Sequence, residues 1–293
     1  MQSLQKAVLN DIAVDADYHL SDDMVADSQS FSPSAAKPRP VLARFLASGL
    51  PVSIRTFPPV TTEDLILSHD PTYVRGVLAC ELPNGFANLD SGVARSLPWT
   101  TGALLAAARA ALNGGIACAP VSGFHHAHYD TGGGFCTFNG LTVTAQRLLT
   151  DGVVHRILIL DCDQHFGDGT DDIIRRLGLA PLVENASFGR WFHSARDAAA
   201  YLTRLEQIVA RFPEFDLILY QAGADVHVDD PLGGVLTTEQ MVTRDRLVFQ
   251  GAQRHRIPLA WNLAGGYQDP VDKVVQLHVN TLRECTVAYA SSG

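Results

Sequence analysis

Four large apolar residues stand in a row, Ile157, Leu158, Ile159 and Leu160, and the run then breaks off into Asp161, Cys162, Asp163, Gln164 and His165. A strand with one face in water alternates apolar and polar side chains. An unbroken short run instead fits a strand covered on both faces, as in a parallel sheet packed between helices. Such sheets gather their ligand-binding groups at the carboxyl ends of the strands. Asp163 and His165 lie past that end, and at a spacing of two in extended backbone their side chains leave the same face. A carboxylate oxygen beside an imidazole nitrogen suits Zn2+ or Fe2+. Gly167 and Gly169 then permit a tight turn into a helix that opens on Asp171 and Asp172, as the helix dipole prefers. The spacing alone is not diagnostic and needs partners from elsewhere in the chain.

The rest of the sequence repeats this strand-and-helix pattern. Strands are expected at residues 6–14, 52–57, 116–121, 182–186, 216–220 and 258–263. Helices are expected over 41–50, after the Thr-Thr-Glu-Asp start at 61–64, over 97–112, 141–149 and 238–255, and onward from Val271. Ala198, Leu202, Leu205, Val209 and Phe212 recur at intervals of four and three, a core-facing helical stripe that Pro213 ends. His69 and His278 read as structural histidines, and Arg39, pinned between Pro38 and Pro40, as a surface residue. Strands alternating with helices in this order predict a three-layer α/β/α fold with a largely parallel central sheet. One domain over residues 1–293 is expected, with residues 1–35 as a peripheral N-terminal segment.

Composition narrows the function classes. A hydrophobic fraction of 46% and a charged fraction of 18% describe a globular chain with enough apolar surface for a large core. A net charge of -9 with no Lys/Arg cluster disfavours direct contact with nucleic acid, while it tolerates a cationic amine or a Lys-rich peptide. The five cysteines are scattered without the spacing of a zinc knuckle or disulfide framework, which fits a reducing compartment. No run reaches the ~18 apolar residues of a membrane span, and the start lacks a signal-peptide pattern, so a cytoplasmic location is expected.

Three more strand ends carry polar chemistry. After the strand at 116–121 comes Ser-Gly-Phe-His-His-Ala-His-Tyr-Asp-Thr-Gly-Gly-Gly-Phe-Cys at 122–136. The adjacent His125 and His126 diverge unless a turn brings them together, and three successive glycines at 132–134 imply backbone pressed close to another group. Asp225 stands past its strand as Asp163 stands past its own, so the two can converge at neighbouring strand ends. Gly265 and Gly266 let Tyr267 project across the sheet edge. Jointly these positions supply Asp163, His165 and Asp225 as three metal ligands, the His125/His126 pair, Asp161 and Asp168 to orient that pair, and a phenol. The set is complete for metal-assisted hydrolysis, because three protein ligands leave coordination open for water and a carbonyl oxygen.

Through Gly-Phe-His-His-Ala at 123–127, Gly-Gly-Phe-Cys at 133–136, Asp-Cys-Asp-Gln-His at 161–165, Gly-Asp-Gly at 167–169, Gly-Ala-Asp at 223–225 and Gly-Gly-Tyr at 265–267, the chain resembles the zinc-dependent histone deacetylase family. The match runs from about residue 36 to 285. Leu-Pro-Trp-Thr-Thr-Gly at 97–102, Asp-Pro-Leu-Gly-Gly at 230–234 and Arg-Asp-Arg-Leu-Val-Phe at 244–249 are most similar to the short class IV branch, which bacteria also carry. The resemblance implies the arginase/deacetylase fold, Zn2+ on Asp163, His165 and Asp225 with Fe2+ as the alternative, and K+ at a structural site around Asp161, Asp163 and His165. It implies His126, oriented by Asp168, as general base and acid, and His125, held on Asp161, as a charge stabiliser. Tyr267 becomes the hydroxyl that polarises the acyl oxygen. Gly134, Phe135 and Leu232 become substrate-tunnel residues, Arg39 an arginine near the inner cavity and Asp90 a rim acid.

The chain departs from the family pattern at Phe166, Cys162 and Ala264. It also departs in a short connection after Ser187 that leaves Phe188, Trp191 or Phe192 as the second tunnel wall. The expected activity is removal of acetyl or longer acyl groups from amines, with acyl-lysine in protein or peptide as the leading substrate. Acylpolyamines or other acylated small amines, and a catalytically silent acyl-lysine-binding protein, are the alternatives. A two-metal ureohydrolase of the arginase type is a further alternative, since Asp225 and His227 resemble a second-metal motif, although that pattern needs an acid where His227 stands and lacks the His125/His126 pair. The short connection predicts a low rim that admits medium or long acyl chains. Oligomeric state is left open.

Overall fold

Residues 10–13, as backbone, and 37–290 are described in the computed structural model. Strands β1 (Asn10–Ala13), β2 (Val52–Arg55), β3 (Ile116–Ala119), β4 (Ile157–Asp161), β5 (Val183–Ser187), β6 (Leu217–Gln221) and β7 (Leu259–Asn262) form one sheet in the order β2-β1-β3-β7-β6-β4-β5, with every neighbouring pair parallel. Helices α1 (Pro38–Ala47), α2 (Thr62–Ile66), α3 (Pro71–Leu78), α4 (Ser91–Gly114), α5 (Gly140–Thr150), α6 (Asp168–Arg176), α7 (Ala198–Val209), α8 (Thr238–His255) and α9 (Asp272–Ala290) cover its two faces.

The apolar run of β4 shows why three layers form. Ile157 and Ile159 enter one core with Leu217 and Leu219 of β6, while Leu158 and Leu160 enter the other with Ile218 and Tyr220. Successive side chains of a strand point to opposite faces, so a run apolar at every position needs a helix layer on each side. One layer is built on Leu104 and Ala108 of α4 and Leu141 and Leu148 of α5, the other on Leu205 of α7, Phe249 of α8 and Val274 and Leu282 of α9. The largely parallel three-layer architecture expected from the sequence is the one observed.

Local signals set most boundaries. Thr61 and Asp64 form the capping box that opens α2, and Gly115, with φ of 95°, closes α4. One helix was not foreseen and another is longer than expected. Helix α3 is short, with Asp70 as its cap and Pro71 in its first turn. Helix α4 begins at Ser91 rather than 97 and runs through Pro98. Pro98 lacks an N–H, yet Val93, Ala94 and Leu97 bury the preceding turn and the helix continues through it. The cap of α4 is Asp90, whose carboxylate accepts the Val93 N–H at 2.9 Å, so the expected rim acid serves here as a helix cap. The expected strand at 6–14 is Asn10–Ala13, and the remainder of residues 1–35 lies outside the described residues.

The sheet order brings β3, β7, β6 and β4 side by side, and the four polar clusters follow the carboxyl ends of these four strands. Because β3 leads to β4 across β7 and β6, the intervening crevice is the place where an open α/β sheet collects its ligand groups.

Candidate active site

Asp163, His165 and Asp225 present one ligand atom each, all within 4.8 Å of one another. His165 Nδ1 lies 3.2 Å from Asp163 Oδ1 and 3.1 Å from Asp225 Oδ2. Both carboxylates are buried and fixed by main-chain donors: Gly265 N–H to Asp163 Oδ2 at 2.9 Å and Gln164 N–H to Asp225 Oδ1 at 3.1 Å. At Gly265 a Cβ would come within 2.1 Å of Asp225 Oδ2, so only glycine lets the backbone close over the acids.

The electrostatics describe a centre short of positive charge. Hydrogen bonds to the two carboxylates push His165 up to about 11, while burial and the neighbouring Asp163 charge push Asp225 up to about 7. Two buried carboxylates and an imidazole converging on one point fit a divalent cation such as Zn2+ or Fe2+. Among the described residues this is the one such group. His227 turns away to Thr238 Oγ1, 2.9 Å from its Nε2, and does not add a second-metal ligand.

Two His–Asp pairs stand beside this centre. His125 Nδ1 is 2.8 Å from Asp161 Oδ2, and its Nε2 is 3.6 Å from Asp163 Oδ1. Burial opposes its charge, but the Asp161 and Asp163 carboxylates outweigh that and push it up to about 9. His126 Nδ1 is 2.7 Å from Asp168 Oδ1. Here burial and the charge of His125 prevail over Asp168 and hold the imidazole below its ordinary range. Equivalent sequence neighbours are thus set apart, one favouring the charged form and one the neutral form.

Asp161 is buried and saturated. It accepts from His125, from Ser187 Oγ at 2.9 Å, from Gln221 Nε2 at 2.9 Å and from Asp163 N–H at 3.2 Å. Gln221 also accepts the Phe124 N–H through Oε1 at 3.1 Å, which ties the histidine loop to β6. Neither Ser187 nor Gln221 was assigned a role from the sequence. The available signal was register: Asp161, Ser187 and Gln221 are the paired last residues of neighbouring strands.

Tyr267, His125, His126, Cys136, Phe135 and Phe86 line a cavity of about 20 Å³ together with Asp163. Gly134, with φ of 52°, lets the backbone pass over the His126 ring, where a Cβ would meet Cδ2 at 2.6 Å. Asp230 Oδ2 accepts the Tyr267 N–H at 2.7 Å and holds the loop after β7. Burial and the Asp225 and Asp163 charges raise the Tyr267 phenol well above its ordinary value. Phe86, to which no role was assigned from the sequence, packs against Phe135 at 5.9 Å between centroids and joins the cavity lining.

Other expectations fall elsewhere. Leu232 is exposed and outside the cavity lining. Phe188 is buried against Tyr201, and Trp191 and Phe192 stack with it, so none of the three lines the cavity. Arg39 is exposed, whereas Lys37 is fully buried with the Asp225, Asp163 and Asp230 charges near it. Burial pushes the Lys37 amine down to about 8. A larger groove of about 670 Å³, lined in part by Phe57, Leu105, Arg109 and Arg147, lies away from these groups.

Comparison with known proteins agrees with this geometry. The model of the histone deacetylase domain matches residues 35–188 and 184–282. An uncharacterised protein of Picosynechococcus sp. is 29% identical over 236 residues, covering 73% of this chain and 78% of that one. Histone deacetylase 2 of Arabidopsis thaliana is 26% identical over 200 residues, covering 62% of this chain and 52% of its own, so the match spans about half of that relative. The crystal structure of an acetylpolyamine aminohydrolase from Burkholderia pseudomallei superposes with a TM-score of 0.72 at 18% identity, covering 96% of this chain and 98% of that one.

Proposed function

Because this chain belongs to the family of the histone deacetylase domain, whose general chemistry is hydrolysis of acyl-amide bonds, we propose that it is a zinc-dependent amidohydrolase that removes acetyl or longer acyl groups from amines, with acyl-lysine in a protein or peptide as substrate. The observation that carries this reading is the meeting of the Asp163, His165 and Asp225 donor set with two oppositely tuned His–Asp pairs beside one small cavity. Zn2+ held by those three residues would supply Lewis acidity toward a carbonyl and a water molecule. We keep with this reading a structural K+ around Asp161, Asp163 and His165, a single catalytic domain of class IV type, and action in the cytoplasm. No helix of the described residues is long and apolar enough to cross a membrane.

The chain's own residues then divide the work. His126, neutral and with Nδ1 engaged by Asp168, offers Nε2 to take the proton of the attacking water and return it to the leaving amine. His125, kept charged by Asp161 and Asp163, stabilises the negative charge that develops on the acyl oxygen. Tyr267 stays protonated and donates a hydrogen bond to the same oxygen. Phe135 and Phe86 flank the amine's alkyl stem and exclude water.

The short connection after Ser187 favours a medium or long acyl chain over acetyl. The test combines elemental analysis with kcat/KM on one lysine peptide carrying acetyl, butyryl, octanoyl or myristoyl groups, with acetylspermidine alongside. One zinc per chain and a higher kcat/KM on a medium or long acyl chain than on acetyl are expected, and a monotonic fall with chain length would overturn the long-acyl preference. A dominant rate on acetylspermidine would move the substrate to polyamines. Ligand binding without release of any acid would make the protein an acyl-lysine-binding module, and two Mn2+ with guanidine hydrolysis would place it with the ureohydrolases.

A further inference from the structure

We propose that Arg244 is a positioning residue for the metal centre: its guanidinium fixes the peptide unit between Gly223 and Ala224, and through that unit the placement of the Asp163 and Asp225 carboxylates. The inference rests on the reading of Asp163, His165 and Asp225 as metal ligands. Arg244 lies on α8 and is fully buried. Its Nη1 donates to the Gly223 carbonyl at 2.7 Å. The N–H of the same peptide unit, that of Ala224, donates to the Gly265 carbonyl at 3.0 Å, and Gly265 N–H donates in turn to Asp163 Oδ2 at 2.9 Å. One continuous chain of hydrogen bonds therefore runs from the guanidinium to a ligand carboxylate.

Gly223 leaves the two acids no slack. A Cβ there would meet Asp163 Cα at 2.6 Å and Asp225 Oδ1 at 2.9 Å, so the Gly223 backbone is wedged between the two ligand-bearing segments. A rotation of the 223–224 peptide would break its bonds to Arg244 and to Gly265 together. It would also carry Asp225, the residue that follows, away from His165 Nδ1, which is now 3.1 Å from its Oδ2.

The guanidinium is itself aimed. Its Nε donates to Asp245 Oδ1 at 2.8 Å, and Asp245 also accepts from the Tyr220 hydroxyl of β6 and from Thr281 Oγ1 of α9 at 2.6 Å. A buried ion pair is weak as a source of stability, because the desolvation of both charges offsets their attraction. What this pair supplies is direction. Arginine stays charged, its planar fork fixes Nη1 once Nε is bound, and a charged donor makes the stronger bond to a carbonyl. Neither Arg244 nor Asp245 lines the cavity, so they act on the carboxylates and not on the substrate.

The experiment compares the full wild-type chain with Arg244→Met/Asp245→Asn and with Arg244→Lys. The double variant removes both buried charges together and keeps an acceptor for the Tyr220 and Thr281 hydroxyls, whereas lysine keeps the cation without the fork. Three quantities are measured: the urea midpoint of the metal-free chain, zinc affinity by competition with a chromophoric chelator, and the visible absorption bands of the Co2+-loaded chain. In the double variant the urea midpoint stays near wild type, zinc affinity falls by roughly 10–100-fold, the usual loss when a group behind the ligands is removed, and the Co2+ bands shift. In Arg244→Lys affinity and bands change in the same direction, because Asp245 cannot aim a single ammonium at Gly223. Wild-type affinity and bands in a folded variant would overturn the proposal. So would a lowered urea midpoint with unchanged affinity of the folded chain, the mark of a purely structural ion pair. Should the double variant fail to fold, Arg244→Lys decides by the same two metal readouts, and failure of both to fold would assign the pair to the fold and overturn the proposal. A wild-type chain that binds zinc but hydrolyses no acyl-lysine peptide would sink the proposed activity alone, with the affinity comparison still deciding the role of Arg244. A wild-type chain that takes up no zinc would remove the metal centre and this proposal with it.

Discussion

Tyr267 differs from the other buried tyrosines in what surrounds its hydroxyl. Tyr220 reaches Asp245 Oδ1 and Tyr73 reaches the Thr137 carbonyl, whereas Tyr267 faces a cavity that also holds His125, His126 and Asp163. Burial and two carboxylate charges keep its phenol protonated at neutral pH, so it donates a hydrogen bond and does not act as a base. Tyr267→Phe should therefore lower kcat by roughly 10²–10³, the usual loss for one oxyanion donor, with zinc content unchanged by elemental analysis. Near wild-type turnover would remove Tyr267 from the mechanism. The contrast between Arg39 and Lys37 belongs to the same scale. Two cations two residues apart look alike in sequence, and the first turn of α1 decides which is buried.

Among the elements, the start of α5 does more than begin a helix. Asn139 caps it through Oδ1 to Thr142 N–H at 3.2 Å, and its Nδ2 reaches Ala127 O at 3.2 Å and Thr170 Oγ1 at 2.9 Å. Its N–H donates to His69 Nε2 at 2.8 Å, while His69 Nδ1 donates to the His128 carbonyl. His69 thus acts as a neutral clamp between α5 and the histidine loop. Burial pushes it down to about 4 from 6.5, against two backbone carbonyls that favour its charge. Between those values the unfolded chain binds a proton that the folded chain refuses. The clamp's contribution is complete above pH 6.5 and is lost as pH falls toward 4, to the extent of roughly 3 kcal/mol. His69→Gln should flatten the decline of stability over that window, measured by urea denaturation at pH 7, 5.5 and 4.5. An unchanged slope would refute the clamp.

At the scale of the whole molecule, four strands from distant parts of the chain must stay in register for the site to exist. A ligand that binds the assembled acids and not the open chain stabilises the fold by mass action, about 4 kcal/mol at 1,000 times its dissociation constant. Removal of metal by a chelator should therefore lower Tm, and zinc added back should restore it. In Asp225→Ala, which lacks one donor, chelator and zinc should leave Tm unmoved. A wild-type Tm insensitive to both would argue against the three-residue centre. Both acids are buried, Asp161 at the end of β4 and Asp225 in the loop after β6, two strands enclosed by a core on each face.

The pattern of side chains alone determined the layer architecture, because an apolar run at every strand position has no stable placement other than between two covering layers. It also located the polar clusters at strand ends, where burial must give way to bound groups. Local chemistry settled caps and turns such as Thr61 with Asp64 and Gly115. Tertiary structure alone decided which strand ends meet, since the order β3-β7-β6-β4 is a matter of packing between segments that are not neighbours in the chain. It likewise decided that Gln221 and Ser187 saturate Asp161, that Phe86 joins the cavity lining, and that Lys37 rather than Arg39 is buried. These choices depend on distance and dielectric, and both arise only once the chain has closed around them.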